Sequence, residues 1–267
     1  MVYRFIASDL DGTLLDAHHA VNSLTAETLQ ALAGQGVQFA IATGRHYLDV
    51  KSIRQTLGVS AHLITSNGAR VHDPDDRLIH SQDIDAELVR SIAQPEFADG
   101  VILNFYLDEG WLIDQPSQAL LDMHQDSGMG YRVCDLARHD GAGVCKVLYI
   151  GPHQHLLGIE RRLRARYGDR LYITFSLEHC LEVMAAGVSK GHALELVLGR
   201  LGIPASQCLA FGDGQNDVEL LQAAGHPRVM ANAHPRLAER LPQARRIGHH
   251  ADSGVARHLR QLFELAV

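Results

Sequence analysis

The amino-acid sequence predicts an α/β fold, a doubly wound parallel sheet with an inserted α+β domain. Two observations carry that expectation. In the first 70 residues, short apolar runs that each end in small polar residues alternate with segments of helical period, the signature of a parallel sheet with helices on both faces. The same alternation resumes after residue 186, whereas the stretch between is richer in strand-like runs and follows a different rhythm. The predicted division is therefore 1–82 and 187–267 for the main domain, with 83–186 inserted into it.

Residues 3–8 are mostly apolar and stop at Asp9-Leu10-Asp11-Gly12-Thr13, as a buried parallel strand followed by a polar turn would. A helix is expected over 23–35: Ser23 or Thr25 can cap it, Ala26, Leu29, Leu32 and Ala33 share one face, and Gly36 can close it. A strand over 37–42 ends in Thr43-Gly44-Arg45. A helix over 47–57 stops at Gly58, and a third strand over 62–65 ends at Ser66-Asn67-Gly68. In sheets of this kind ligands sit beyond the carboxyl ends of the strands, which is where Asp9, Thr43 and Asn67 fall.

The inserted segment is expected to hold strands over 100–106, 110–113, 144–150, 171–176 and 180–184, and helices over 85–93, 117–125 and 153–167. Its one tryptophan, Trp111, is assigned to packing. The main domain then resumes with a helix opened by Ser189-Lys190-Gly191, a strand over 208–211 ending in Gly212-Asp213-Gly214, and a short helix over 216–224. A strand over 229–231 and a last helix over 253–265 complete it.

Composition narrows the function. A net charge of −7 across 267 residues disfavours nucleic acid, whose phosphate backbone calls for a basic surface. The arginines at 161, 162, 164 and 166 are assigned to a solvated helix face. No run approaches the roughly 18 consecutive apolar residues of a membrane span, and the opening residues lack the long apolar stretch of a signal peptide. The four cysteines form no C-x-x-C pair, and the 17 histidines form no H-E-x-x-H, so disulfides and zinc are not expected. These features together predict a cytoplasmic protein.

Asp9 and Asp11 stand two apart after a strand, with Gly12 permitting a sharp turn. One such carboxylate can attack phosphorus, and the other can give a proton to the leaving oxygen if its pKa is raised toward neutrality. Asp9 and Asp213, from two strand ends, suit Mg²⁺, which prefers oxygen ligands and takes one or two protein carboxylates. Lys190, in the first turn of its helix, supplies positive charge where a helix N-terminus already favours an anion. Thr43 and the Gly44 N–H can bind a phosphoryl oxygen, on which charge builds during transfer.

Asp9-Leu-Asp-Gly-Thr13, Thr43-Gly-Arg45, Ser189-Lys-Gly191 and Gly212-Asp-Gly-Gln-Asn-Asp217 resemble, in order, the four motifs of the haloacid dehalogenase superfamily, and those of its Cof-type phosphatases in particular. Only 31 residues separate Asp11 from Thr43, too few for a cap domain, whereas 146 lie between Thr43 and Lys190, enough for the C2-type cap of that subgroup. Segments 64–73 and 181–195 are similar to bacterial members described as sugar or pyridoxal phosphate phosphatases. The resemblance implies Asp9 as nucleophile and Mg²⁺ ligand. It implies Asp11 as acid/base whose backbone carbonyl also meets the metal, and Asp213 as a further metal ligand. Thr43, Gly44, Lys190, Asn216 and the Leu10 N–H would hold phosphate, with Asp217 orienting Lys190 or a metal-bound water. Substrate selection is expected at Arg45, His46 and Asn67 and, from the cap, at Asn104 and Tyr106.

The expected function is thus Mg²⁺-dependent hydrolysis of a small phosphorylated metabolite, such as a sugar phosphate or pyridoxal 5′-phosphate. Phosphoryl transfer to an acceptor hydroxyl, as in a phosphomutase, is the neighbouring alternative. A non-catalytic switch that keeps its phospho-aspartate is the other, and Asp11 argues against it.

Overall fold

The computed structural model describes residues 3–124 and 127–265. Two sheets organise them. Strands β1 (Phe5–Ser8), β2 (Gln38–Ala42), β3 (Ala61–Thr65), β4 (Arg70–His72) and β5 (Leu78–Ser81) belong to the first. The second holds β6 (Ile102–Leu107), β7 (Gly110–Ile113), β8 (Tyr131–Val133), β9 (Lys146–Ile150), β10 (Leu171–Leu177) and β11 (Cys180–Ala185). The chain returns to the first sheet with β12 (Cys208–Gly212), β13 (His226–Val229) and β14 (Arg245–Arg246). The orders are β14-β13-β12-β1-β2-β3-β4-β5 and β10-β11-β9-β6-β7-β8.

In the first sheet β14 to β3 pair in parallel, while β4 and β5 add an antiparallel hairpin. Alternate residues of β1 enter opposite cores. Phe5 and Ala7 pack with Ala193, Leu194 and Val197 of α7 (Lys190–Leu201), next to α8 (Val218–Ala223). Ile6 packs with Leu29 and Leu32 of α1 (Ser23–Gly34), Val50 and Leu57 of α2 (Tyr47–Leu57), and Leu259 of the last described helix, Gly254–Leu262. Burial on both faces is why these strands read as continuous apolar runs. Each fully buried Leu or Val contributes about 1.5–3 kcal/mol relative to exposure.

The second sheet is covered on one face by α3 (Ala86–Ile92), α4 (Pro95–Ala98) and α6 (His153–Tyr167), through Val89, Ile92, Phe97, Leu156 and Ile159 against Phe105, Val147 and Leu181. Its other face, carrying Tyr106, Trp111 and Met184, packs with Ala69 and Val188 of the first unit. Trp111 is 2% exposed and its indole donates to Asn104 Oδ1 at 2.8 Å, a packing role.

Several boundaries differ from expectation for identifiable reasons. Asn22, not Ser23 or Thr25, caps α1, its Oδ1 accepting the Thr25 N–H at 2.9 Å. The fifth parallel strand covers His226–Val229 rather than 229–231; its Pro227 is tolerated because β14 pairs only with Arg228 and Val229. The β4–β5 hairpin went unpredicted because its strands are short and polar-coded. It is closed by Asp73, whose Oδ1 accepts the Asp75 and Arg77 N–H groups at 2.9 Å each. The helix predicted to end at Gln125, α5, covers Gln118–Met123; Gln125 itself lies outside the described residues.

Candidate active site

Neighbouring parallel strands align their carboxyl ends. Ser8 lies level with Phe211 on one side and Ile41 on the other. The next residue, Asp9, is still held by the sheet, its N–H donating to the Phe211 carbonyl at 2.9 Å. The chain then folds into a tight turn over Leu10–Leu14 in which Gly12 has φ +74°. A Cβ at Gly12 would stand 2.4 Å from Asp213 Oδ2, so glycine is required there by space as well as by conformation. Thr13 Oγ1 donates to Asp213 Oδ1 at 2.8 Å, tying this turn to the end of β12.

Lys190 opens α7, where Ser189 Oγ caps the helix by accepting the His192 N–H at 3.1 Å. Its side chain is fully buried, and Nζ donates at 2.6 Å to both Asp9 Oδ1 and Asp217 Oδ1. Asp217 uses its other oxygen to accept the Asp213 and Gly214 N–H groups at 2.9 and 2.8 Å. Asp217 is thus committed to the loop and to Lys190.

Asp9, Asp213 and Asp217 each place a carboxylate oxygen within 4.8 Å of the other two. Burial, then the Asp217 charge, raises the Asp9 carboxyl well above its ordinary range despite Lys190. Burial and Asp217 push Asp213 up to about 6, against the opposing pull of Thr13 and Lys190. Lys190 is held protonated: burial opposes its charge, but Asp217 and Asp9 outweigh it. Three carboxylates against one ammonium leave negative charge that a small hard cation would offset. Asp9 and Asp213, less committed than Asp217, are the pair suited to hold it.

Asp11 is turned away from this cluster. Arg45 donates to it through Nε at 2.7 Å and Nη2 at 2.5 Å, and His19 Nδ1 stands 3.2 Å away. Burial pushes its carboxyl up, but Arg45 and then His19 prevail and hold it below the ordinary value. The raised pKa expected of Asp11 as a proton donor is therefore absent in this arrangement, because Arg45 stabilises the carboxylate.

Thr43 and Gly44 lie at the end of β2. Thr43 is buried, and its Oγ1 accepts the Arg45 N–H at 3.1 Å. Its carbonyl accepts the Asn67 N–H at 3.0 Å, linking the ends of β2 and β3. Asn67 Oδ1 accepts from Asn216 Nδ2 at 3.0 Å, which joins β3 to the loop after β12. Leu10 is buried within the turn beside Asp9.

Two of the expected substrate residues are otherwise occupied. Asn104 is 0% exposed; its amide donates to the Ile102 and Leu148 carbonyls at 3.2 Å and accepts from Trp111, so it fastens the second sheet internally. His46 caps α2 with Nδ1, accepting the Leu48 N–H at 3.1 Å, and Nε2 donates to the Leu107 carbonyl at 2.5 Å. Burial depresses its pKa, consistent with a neutral ring joining the two units. Tyr106 is buried between His46 and Trp111 with the Lys146 ammonium 4.3 Å from its ring centroid.

Three residues outside the four motifs, Asn232, Lys146 and Glu182, also border the site. Asn232 donates to the Gly12 carbonyl at 2.8 Å and follows β13, so the rule that ligand groups lie past strand ends would have found it. Lys146 and Glu182 are charged positions inside otherwise apolar strand runs, a signal of a polar task on the sheet face. No helix among the described residues is long and apolar enough to cross a membrane.

The sequence profile of the haloacid dehalogenase-like hydrolases matches residues 6–259. A Haemophilus influenzae protein described as a candidate phosphatase is 42% identical over 266 residues, covering 98% of each chain. The HMP-PP phosphatase of Serratia proteamaculans is 37% identical, covering 97% of this chain and 94% of that one. Among solved structures, a Bacillus subtilis haloacid dehalogenase-like hydrolase superposes with a TM-score of 0.87 at 26% identity, over 97% of this chain and 99% of that one. A subclass IIB sugar phosphatase shares the fold, with a TM-score of 0.84 at 20% identity over 98% of this chain and all of that one. With its motifs at adjoining strand ends and relatives spanning nearly its whole length, this chain belongs to the haloacid dehalogenase-like hydrolase family, in the Cof-type branch, and is a phosphoric monoester hydrolase.

Proposed function

We propose that the protein is a Mg²⁺-dependent phosphatase of small phosphorylated metabolites that works through a phospho-aspartyl intermediate on Asp9. The observation that carries this reading is the cluster of buried Asp9, Lys190 and Asp217 with half-buried Asp213, a nucleophile fixed beside one ammonium amid surplus negative charge. Mg²⁺ held by Asp9, Asp213 and the Asp11 carbonyl would screen the phosphoryl charge from the attacking carboxylate.

Asp9 forms a bond to phosphorus as the bond to the leaving oxygen breaks, and Asp11 gives that oxygen a proton. Water then attacks the acyl phosphate, Asp11 takes its proton, and the Asp9 carboxylate is regenerated with release of inorganic phosphate. Lys190, the Thr43 hydroxyl, the Gly44 and Leu10 N–H groups and Asn216 hold the phosphoryl oxygens as charge develops on them. For Asp11 to carry a proton it must leave Arg45, and an incoming phosphate competes for that guanidinium. Residues 83–186 act as a cap that excludes bulk water and reads the organic part of the substrate.

HMP-PP, the substrate in the relatives' name, joins sugar phosphates and pyridoxal 5′-phosphate as the candidates. The test is phosphate release from a panel of these compounds and p-nitrophenyl phosphate, with Mg²⁺ or EDTA. Release that requires Mg²⁺, with one compound favoured by kcat/KM, is expected. Transfer to an added alcohol without free phosphate would replace hydrolysis with the phosphotransferase reading.

A further inference from the structure

Lys146 of β9 and Glu182 of β11 form an ion pair, 3.0 Å between Nζ and Oε1, with both residues at least 95% buried. Glu182 stands opposite Leu148, two residues along from Lys146, so the pair lies diagonally on the face of the second sheet turned toward the active-site loops. Burying two charges is costly unless every partner is well placed. Here the partners include the loops that carry the motifs. Lys146 Nζ donates to the Gly44 carbonyl at 2.5 Å. Glu182 accepts from Asn67 Nδ2 through Oε2 and from Ser176 Oγ through Oε1 at 3.1 Å.

We propose that Lys146 and Glu182 are positioning residues through which the second sheet sets the two phosphate-holding loops; the proposal rests on the phosphatase reading above. The Gly44 carbonyl belongs to the same peptide as the Arg45 N–H, and that N–H donates to Thr43 Oγ1. Fixing the carbonyl with an ammonium fixes this N–H on the Thr43 oxygen, which leaves the hydroxyl hydrogen free to donate to a phosphoryl oxygen. On the other arm, Glu182 orients the Asn67 amide so that its Oδ1 accepts one hydrogen of Asn216 Nδ2, leaving the second for phosphate. Asn67 holds a left-handed backbone, φ +56°, inside this network. The close fit is visible at Gly44, where a Cβ would stand 3.2 Å from Asn67 Oδ1 and 3.5 Å from Glu182 Oε2.

The test uses the full chain with Mg²⁺ and the double variant Lys146→Met/Glu182→Gln, which removes both charges together. Circular dichroism establishes folding. The readouts are the dissociation constant of inorganic phosphate and kcat/KM for p-nitrophenyl phosphate and two phosphorylated metabolites. Misplaced phosphate donors predict weaker phosphate binding and a loss of about 10²-fold in kcat/KM by the same factor for every substrate. A folded double variant with unchanged phosphate affinity and kcat/KM would overturn the proposal. So would a loss confined to one substrate at unchanged phosphate affinity, which would make the pair a contact for the organic group. Should the double variant fail to fold, Glu182→Gln alone, which keeps the shape, is read against the same criteria. If the wild type releases no phosphate, the phosphatase reading fails, and phosphate affinity alone decides this one.

Discussion

Asp9 and Asp11 are two residues apart, yet their carboxyls sit in opposite fields. Asp9, itself buried, sits beside Asp217 and Asp213 and is driven up, whereas Asp11 is clamped by Arg45 and held down. The division follows the chain: Asp9 is still held by β12 through the Phe211 carbonyl, whereas Asp11 has reached Arg45 beyond the end of β2. Arg45→Ala removes the main group that keeps Asp11 ionised, so the Asp11 pKa in the free enzyme rises. The fall of kcat/KM on the alkaline side, where the acid form is lost, is then expected at higher pH than in the wild type. An unmoved limb in the pH profile would remove Asp11 as the proton donor.

Among the elements, strand ends and helix starts carry the site, and side chains on the face of the second sheet carry the joints to it. Asn104 illustrates the difference. It is expected among the residues that select the substrate, but its amide is spent on Ile102, Leu148 and Trp111. Asn104→Ala strands the buried Trp111 N–H and is expected to cost about 1–3 kcal/mol, read as a lower urea midpoint. The ranking of substrates should stay as in the wild type, and a changed ranking would return Asn104 to the binding surface. The parallel strands were legible in the sequence because burial on both faces makes them continuous apolar runs. The motif residues were legible because polar groups follow each run. The β4–β5 hairpin was not, since strands of three and four residues with Arg70, His72 and His80 carry no apolar period. Nor was the Lys146–Glu182 pair as a partner of Gly44 and Asn67, because contacts between separate sheets leave no local spacing to read.

For the whole molecule, the site's surplus negative charge ties stability to pH, and to the proposed metal. Asp9 and Asp213 bind protons more tightly folded than unfolded. Without metal, the stability they contribute is therefore complete below the unfolded carboxylate range and is lost as pH rises, through about 6 for Asp213. Mg²⁺ held as proposed would compete with those protons and raise Tm more at pH 7.5 than at pH 5. A hundredfold excess over Kd gives about 2.7 kcal/mol, or roughly 5 °C or more in Tm. A Tm gain independent of pH would place the cation elsewhere. Passage of phosphate through Asp9 is tested by acid quenching during turnover of a ³²P-labelled substrate, followed by peptide mapping. The label is expected on the peptide bearing Asp9, chasing into inorganic phosphate on addition of unlabelled substrate and absent from Asp9→Asn. Steady phosphate release with no labelled peptide, or with label on another residue, would rule out Asp9 as the phosphoryl carrier.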